Sequence, residues 1–371
     1  MTVNLDTRSL KSATATEIYI SATCEKNASL QEQAREIFTE IRNILLSTKS
    51  NILQERIFAT KAAIASLRQT RSQAYGDLDD GVAPSFLIAK EGLSWPIAAV
   101  QVYAVNSKSR PQVIDLGENP CGRILRVPGR EYLTLSSISD QAHKQAAEQA
   151  QATMEKAEAI LKQFGVDFFS VPRTWIWLND ILSWYDEFNH VRTTFFNDRG
   201  LIGPGDNQSM PASTGIGLGP SDGSNCAMDL TVVLKPSDSI QFFPVAGKQQ
   251  CALEYGSAFS RASRAITPAG ETVYVSGTAS IDANGATTNI NDASGQINTT
   301  IENVRAVLSD MNCSDEDVVQ VIAYCKTTEV EEIFNTCKDN LPWPWLTVIC
   351  DICRHDLLFE MEATAMPRKR V

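Results

Sequence analysis

The chain has 371 residues, 43% of them hydrophobic, and its 44 acidic against 33 basic side chains leave a net charge of −11. That length holds two or three domains with real cores, and the acidic balance argues against a nucleic-acid partner, which needs a clustered basic face. No run of about 18 apolar residues suggests a membrane span, and the N-terminal MTVNLDTRSLKS lacks the apolar stretch of a secretory signal, so a cytoplasmic protein is expected, its terminal PRKRV a solvated tail.

In chain order, IYISATC alternates as a strand. LQEQAREIFTEIRNILL follows, with Ala34, Ile37, Ile41 and Leu45 on one helical face. NILQERIFATKAAIA carries the next strand, SLRQTRSQAYGDLDD a short polar helix, and SFLIAKEG and PIAAVQVYAV two more strands. The order β-α-β-α-β-β leaves room for an extra leading hairpin strand. It then recurs as YLTLSSIS, a helix over Asp140–Phe164, VPRTWIWL, a helix ILSWYDEFNHVRTTFF, STGIGLG and MDLTVVL. Inside this unit, LIGPGDNQSMPAST has the composition of a surface loop that can carry binding groups. SDSIQFFPVAGKQQCALEYGSAFSRASRAI has no counterpart elsewhere and is either a linker or a functional insertion. The third unit reads TVYVSGTAS, a helix from Gln296 to Asp310, DVVQVIAYCK, a helix VEEIFNTCKDN, WLTVICDIC and LLFEMEATA.

The chain therefore repeats one unit three times at a spacing of roughly 120 residues, too long for a solenoid. Each first helix begins near a glutamine: Gln33, Gln149 and Gln296. One such unit is a sheet with helices on one face, and its other face must be covered. Three copies in one chain can cover each other around a pseudo-threefold axis, as a homotrimer does with three chains. The expected fold is thus α/β (α+β), three tandem units forming an internal pseudo-trimer. The divisions fall at residues 1–125, 126–240 and 271–371, with 241–270 connecting. A monomer suffices for this assembly, a higher oligomer stays open, and clefts are expected between adjacent units.

The nine cysteines are odd in number and scattered, which suits buried reduced thiols better than a disulfide framework. Cys350-x-x-Cys353 has metal or redox spacing, but a zinc site needs a second ligand pair and only His143, His190 and His355 are at hand. Neither a metal nor a cofactor is expected.

One carboxylate stands out. In LLFEMEATA, strand alternation sets Leu358, Glu360 and Glu362 on one face and Phe359, Met361 and Ala363 on the other. Glu360 is either a solvated edge-strand carboxylate or a carboxyl in a cleft wall whose pKa burial raises, suiting it to general acid work. MDLTVVL offers Thr or Val at that position and AAVQVYAV no carboxylate, so one cleft of three would be competent. Cations come from Arg173, which begins RTWIWL, Arg192, one helical turn from Phe188, Arg261 and Arg264 about YGSAFSRA, and Arg354 after Cys353; beside aromatics a guanidinium can bind a carboxylate in bidentate fashion and stack on a ring.

YVSGTASID, QINTTIENVRAVL, VVQVIAYCKTTEVEEIFN and LLFEMEATA together resemble the RidA (YjgF, L-PSP endoribonuclease-like) superfamily, whose members are homotrimers of this unit. PRTWIWL, WYDEFNHVR, PASTGIG, YGSAFSRA before YVSGTASI, and DICRHDLLFE, in that order, resemble its tandem branch, the chorismatases, which hydrolyse chorismate. The resemblance implies Glu360 as general acid and Arg173, Arg192 and Arg261 as carboxylate-binding residues. Tyr185 and Tyr255 are hydroxyl contacts on this reading, Ser257 lies where backbone meets ligand, and Cys353 shapes the pocket or positions water. The arginine of the RidA deaminases falls on Trp345, Ser213 and Ser85, which argues against imino-acid deamination by the usual arrangement. The implied function is hydrolysis of chorismate or a related small carboxylate metabolite with release of pyruvate. The alternatives are a non-catalytic RidA-like metabolite-binding protein and an atypical enamine/imine deaminase; a ribonuclease conflicts with the net charge.

Overall fold

The structure, a computed structural model, describes residues 3–24, 28–204 and 208–367. The terminal run 368–371 and residues 205–207 of the Gly/Pro-rich loop lie outside these. Three six-stranded mixed sheets follow one another along the chain, each with helices on one face.

The first unit comprises β1 (Val3–Lys11), β2 (Ala15–Cys24), α1 (Leu30–Ser47), β3 (Asn51–Ala59), α2 (Ile64–Tyr75), β4 (Ser85–Ile88) and β5 (Ile97–Ser107). β1 is the leading hairpin strand, antiparallel to β2. α1 starts with a capping box in which Ser29 accepts from the Glu32 N–H and Glu32 returns to the Ser29 N–H. Its apolar stripe Ala34, Ile37, Ile41 and Leu45 is buried against the sheet, as the 3.6-residue spacing requires.

The second unit begins earlier than its first recognisable strand. β6 (Gln112–Leu116) and β7 (Asn119–Val127) form a hairpin that pairs with β8 (Arg130–Ser139). A division at 125/126 therefore cuts through β7, which is hydrogen-bonded into the second sheet. α3 (Ala146–Gln163), β9 (Arg173–Leu178), α4 (Ile181–Asp198), β10 (Ala212–Ile216), β11 (Gly219–Pro220) and β12 (Cys226–Lys235) complete the unit. α3 starts six residues after the expected Asp140. The Asp140 carboxylate accepts from the His143 backbone N–H at 3.0 Å and from Lys156 at 2.7 Å, and such local side-chain bonds compete with helix formation. β11 leaves its own sheet and pairs with β4 of the first.

The third unit holds β13 (Gln241–Phe243), β14 (Ala262–Ile266), β15 (Glu271–Ala279), α5 (Ala293–Asp310), β16 (Val318–Cys325), α6 (Thr328–Cys337), β17 (Trp345–Ile349) and β18 (Phe359–Ala365). β13 and β14 pair into this sheet, so the segment 241–270 supplies its leading strands. The three glutamines share one task. Gln33 donates to the carbonyl of Trp95, Gln149 accepts from Asn225 N–H, and Gln296 accepts from Leu358 N–H. In each unit the buried amide holds the chain just before it enters the strand that ends the repeat.

Alternation sends one face of each sheet to its helices and the other to the neighbouring units. On β18, Phe359, Met361 and Ala363 join the helix-side core, while Leu358, read from the sequence as Glu360's companion, packs on that core from outside the strand. The opposite faces meet in shared clusters: Phe58 and Leu87 from the first unit, Trp175 and Trp177 from the second, Tyr324 and Leu346 from the third. Each such fully buried side chain contributes about 1.5–3 kcal/mol. Among the described residues no helix is long and apolar enough to cross a membrane.

Candidate active site

Glu360 sits in the middle of a sheet, since β18 is flanked by β15 and β16 and Glu360 pairs with Ala279 on one side and Tyr324 on the other. It is 5% exposed, which removes the solvated edge-strand reading. Burial first, and the neighbouring Glu362 second, push its pKa up to about 8, against the pull of Arg173 and Arg354. Burial thus favours its protonated form. Room for its carboxyl comes from Gly277, at a register shift between Val275 and Thr278 in β15, where a Cβ would lie 2.2 Å from Glu360 Oε1.

The three sheets can be compared through the pairings Tyr324–Glu360, Trp177–Ala227 and Phe58–Ala99. The Glu360 position is therefore Ala227 in the second unit, where Thr or Val was expected, and Ala99 in the first. Two residues further along, Glu362 corresponds to Asp229 and Gln101, by the pairs Ile322–Glu362, Trp175–Asp229 and Arg56–Gln101. Asp229 is fully buried and binds Arg56 of the first unit at 2.8 Å.

Glu360 opens on a cleft, partly open to solvent, between the second and third units. From the second unit, α4 brings Tyr185 and Arg192 to the wall. Trp184 departs from helical geometry (φ −148°, ψ 18°), and beyond it Tyr185, Asn189 and Arg192 fall on one stripe at i, i+4, i+7. Asn189 Oδ1 accepts from Arg192 Nη2 at 2.6 Å, while the buried Arg192 Nε has no partner. From the third unit come Tyr255, Ser257, Arg261 and Cys353. Arg261 Nε donates to the Gln250 carbonyl at 2.9 Å and its buried Nη2 has no partner.

Aromatic rings hold these cations. Phe259 lies 5.5 Å from the Arg192 guanidinium and 5.4 Å from that of Arg261. Tyr255 lies 5.4 Å from Arg261 and 5.3 Å from Arg354. Arg192 and Arg261 are 1% and 2% exposed, and among the described residues neither forms an ion pair with a carboxylate. A buried unpaired charge is costly, so the arrangement is suited to an incoming anion. Burial also lowers the basicity of Arg192. The thiol of Cys353 is pushed up to about 12 by burial and by Glu360, so at neutral pH it is protonated and weakly nucleophilic.

Seven of the eight residues singled out from the sequence thus line one cleft. Arg173 does not. Its guanidinium lies behind the wall, bound to Glu362 at 2.8 Å and to Thr214 Oγ1 at 2.6 Å. The third cation at the cleft is Arg354, whose Nη1 donates to the Gly285 carbonyl at 2.8 Å. Its signal was its place beside Cys353 in the loop that feeds Glu360's strand. Gly277 and Phe259 also line the cleft; both sat in quoted motifs, but their parts depend on contacts between strands that the sequence does not display.

Residues 254–367 match the Endoribonuclease L-PSP family model. No curated protein sequence matches the chain. Among solved structures, a chorismatase is similar over 99% of this chain and 100% of its own, with 17% identity and a TM-score of 0.63. RidA from the Antarctic bacterium Psychrobacter sp. PAMC 21119 aligns with 34% of this chain and 98% of its own, with 20% identity and a TM-score of 0.28. The protein YJGH aligns with 36% of this chain and 99% of its own, with 24% identity and a TM-score of 0.29.

Proposed function

Starting from a chain that shares its fold with a chorismatase along its whole length, we propose that it is a chorismatase-like hydrolase acting on chorismate or a related small dicarboxylate, with Glu360 as general acid. One observation carries this reading: a buried carboxyl, its pKa raised by that burial, faces a cleft that also holds the guanidinium groups of Arg192, Arg261 and Arg354. Arg192 Nε and Arg261 Nη2 have no partner within the protein, and charge-assisted bonds to carboxylates are the strong ones.

The chemistry follows from an enolpyruvyl ether in this setting. Glu360 gives its proton to the methylene carbon, and the ether-linked carbon takes on oxocarbenium character. Water adds to that carbon and returns a proton to the Glu360 carboxylate. The hemiketal collapses, its C–O bond to the ring breaks, pyruvate leaves, and the ring oxygen departs as a hydroxyl. Tyr185, Tyr255, Ser257 and Cys353 orient ligand and water in this scheme.

The test is release of pyruvate from chorismate by the purified protein. No release by the wild type, or unchanged release by Glu360→Gln, overturns the reading. A second reading, a binding protein without turnover, draws on Ala99 and Ala227, which leave two of the three equivalent positions without an acid. Thermal stabilisation by a small carboxylate that is never consumed would favour it.

A further inference from the structure

Glu360 and Glu362 project from the same face of one strand, yet they are held differently. Glu362 Oε2 accepts from Arg173 Nη2 at 2.8 Å and Oε1 from Trp175 Nε1 at 2.7 Å, both donors coming from β9 of the second unit. The same Arg173 nitrogen donates to Thr214 Oγ1 at 2.6 Å. The Thr214 methyl in turn lies 3.3 Å from where a Cβ on Gly277 would sit, beside the Glu360 carboxyl. Arg173, Thr214, Gly277 and Glu360 are thus contiguous. Arg173 Nη1 is buried and has no partner.

We propose that Glu362 is a positioning residue for Glu360: it captures Arg173 as its own counter-ion and so leaves Glu360 to meet the ligand as an acid rather than as one half of an ion pair. This rests on the reading of Glu360 as general acid. Without Glu362, Arg173 would face Glu360 as the remaining carboxyl on that part of the strand, and an opposite charge at close range favours ionisation. The other titratable groups around Glu360 do not replace this control. Tyr185 from α4, Tyr324 from β16 and the thiols of Cys350 and Cys353 are all held protonated by burial. Arg354 pulls toward ionisation and is engaged with the Gly285 carbonyl, while Arg192 and Arg261 line the same cleft but are not among the charges that shift Glu360. In the preceding interface Asp229, the counterpart of Glu362, pairs with Arg56, which stands at the position of Trp175 rather than of Arg173, and Ala227 is where Glu360 would be, so there the ion pair has no acid to govern.

The experiment follows the Glu360 carboxyl directly by isotope-edited infrared titration, each protein being subtracted from its Glu360→Gln counterpart. Glu362→Gln is expected to lower the Glu360 midpoint by about one pH unit or more, and Arg173→Gln to raise it. The double variant, which removes both charges, is expected to return close to the wild type. Midpoints that stay put, or that move in the same direction in the two single variants, overturn the proposal. If Glu362→Gln does not fold with Arg173 left unpaired, the comparison of Arg173→Gln with the double variant decides it: the proposal requires the double variant to titrate at the lower pH. The titration needs no turnover. Absence of pyruvate release would therefore defeat the functional reading while the infrared midpoints still judged the role of Glu362.

Discussion

A methyl group on Gly277 would lie 2.2 Å from Oε1 of Glu360. A Cβ there would press on the end of the Glu360 side chain and on the Thr214 methyl at 3.3 Å, so the carboxyl must move if the glycine is replaced. Gly277→Ala is expected to destabilise the protein by about 1–3 kcal/mol, the usual effect of overpacking, and to displace the carboxyl from the cleft. Thermal unfolding and pyruvate release, measured on the same preparation, check both effects.

Glu360→Gln keeps the shape of the side chain and removes the proton. Pyruvate release is expected to fall by about 10²–10⁴-fold, the range of general acid catalysis. In the wild type the acid is active while protonated, so kcat/KM for the free enzyme is expected to decline as pH rises through about 8. A rate that climbs across that interval would contradict the assignment.

Arg261→Met removes one unpaired guanidinium from the cleft but leaves an apolar stem for Tyr255 and Phe259 to pack on. A charge-assisted bond contributes about 1.5–3 kcal/mol, so kcat/KM is expected to drop by roughly 10–150-fold. Steady-state kinetics test this, and a shortened substrate lacking one carboxylate should be nearly indifferent to the change.

Away from the cleft, Asp229→Asn breaks the buried pair with Arg56 and leaves that cation uncompensated between the first and second units. Loss of one partner of such a pair costs about 3–5 kcal/mol. Denaturant unfolding should show it directly, whereas replacing both residues with apolar ones should be far milder.

Glu17 gives a pH dependence of a different kind. It is fully buried, accepts hydrogen bonds from Tyr103 of its own unit and Thr267 of the third, and burial pushes its pKa up to about 7. A raised carboxyl pKa means that the native state holds its proton longer than the unfolded chain does. Its contribution is full below about pH 4.5 and is lost as pH rises through about 7, amounting to about 3 kcal/mol at most. Glu17→Gln, which cannot ionise, should flatten that decline in stability curves measured from pH 5 to 8.

Sequence periodicity disclosed the three units because helices and strands write their own spacing locally: Ala34, Ile37, Ile41 and Leu45 are buried as their pattern requires. Glu360 was legible through the resemblance carried by LLFEMEATA, since the strand pattern alone left it open between a solvated carboxylate and a cleft acid. Its neighbour Glu362 hid in the same string because its partners, Arg173 and Trp175, lie 189 and 187 residues away. Arg173 was misplaced at the cleft and Arg354 passed over on that account: which arginine meets a ligand and which meets a carboxylate is settled between strands of different units. The hairpin of β6 and β7 gave little signal, since β6 is mostly exposed and lacks a buried alternating face.

The cleft takes Arg192 from the second unit and Glu360 from the third, and one continuous backbone joins them. Where separate chains supply the two sides of such a site, dilution can take it apart. Here the local concentration of one side at the other is fixed by the connecting polypeptide and does not fall with the amount of protein present. Linkage also frees the copies from one another: a substitution in one repeat changes one cleft, whereas in an assembly of identical chains it changes all three at once.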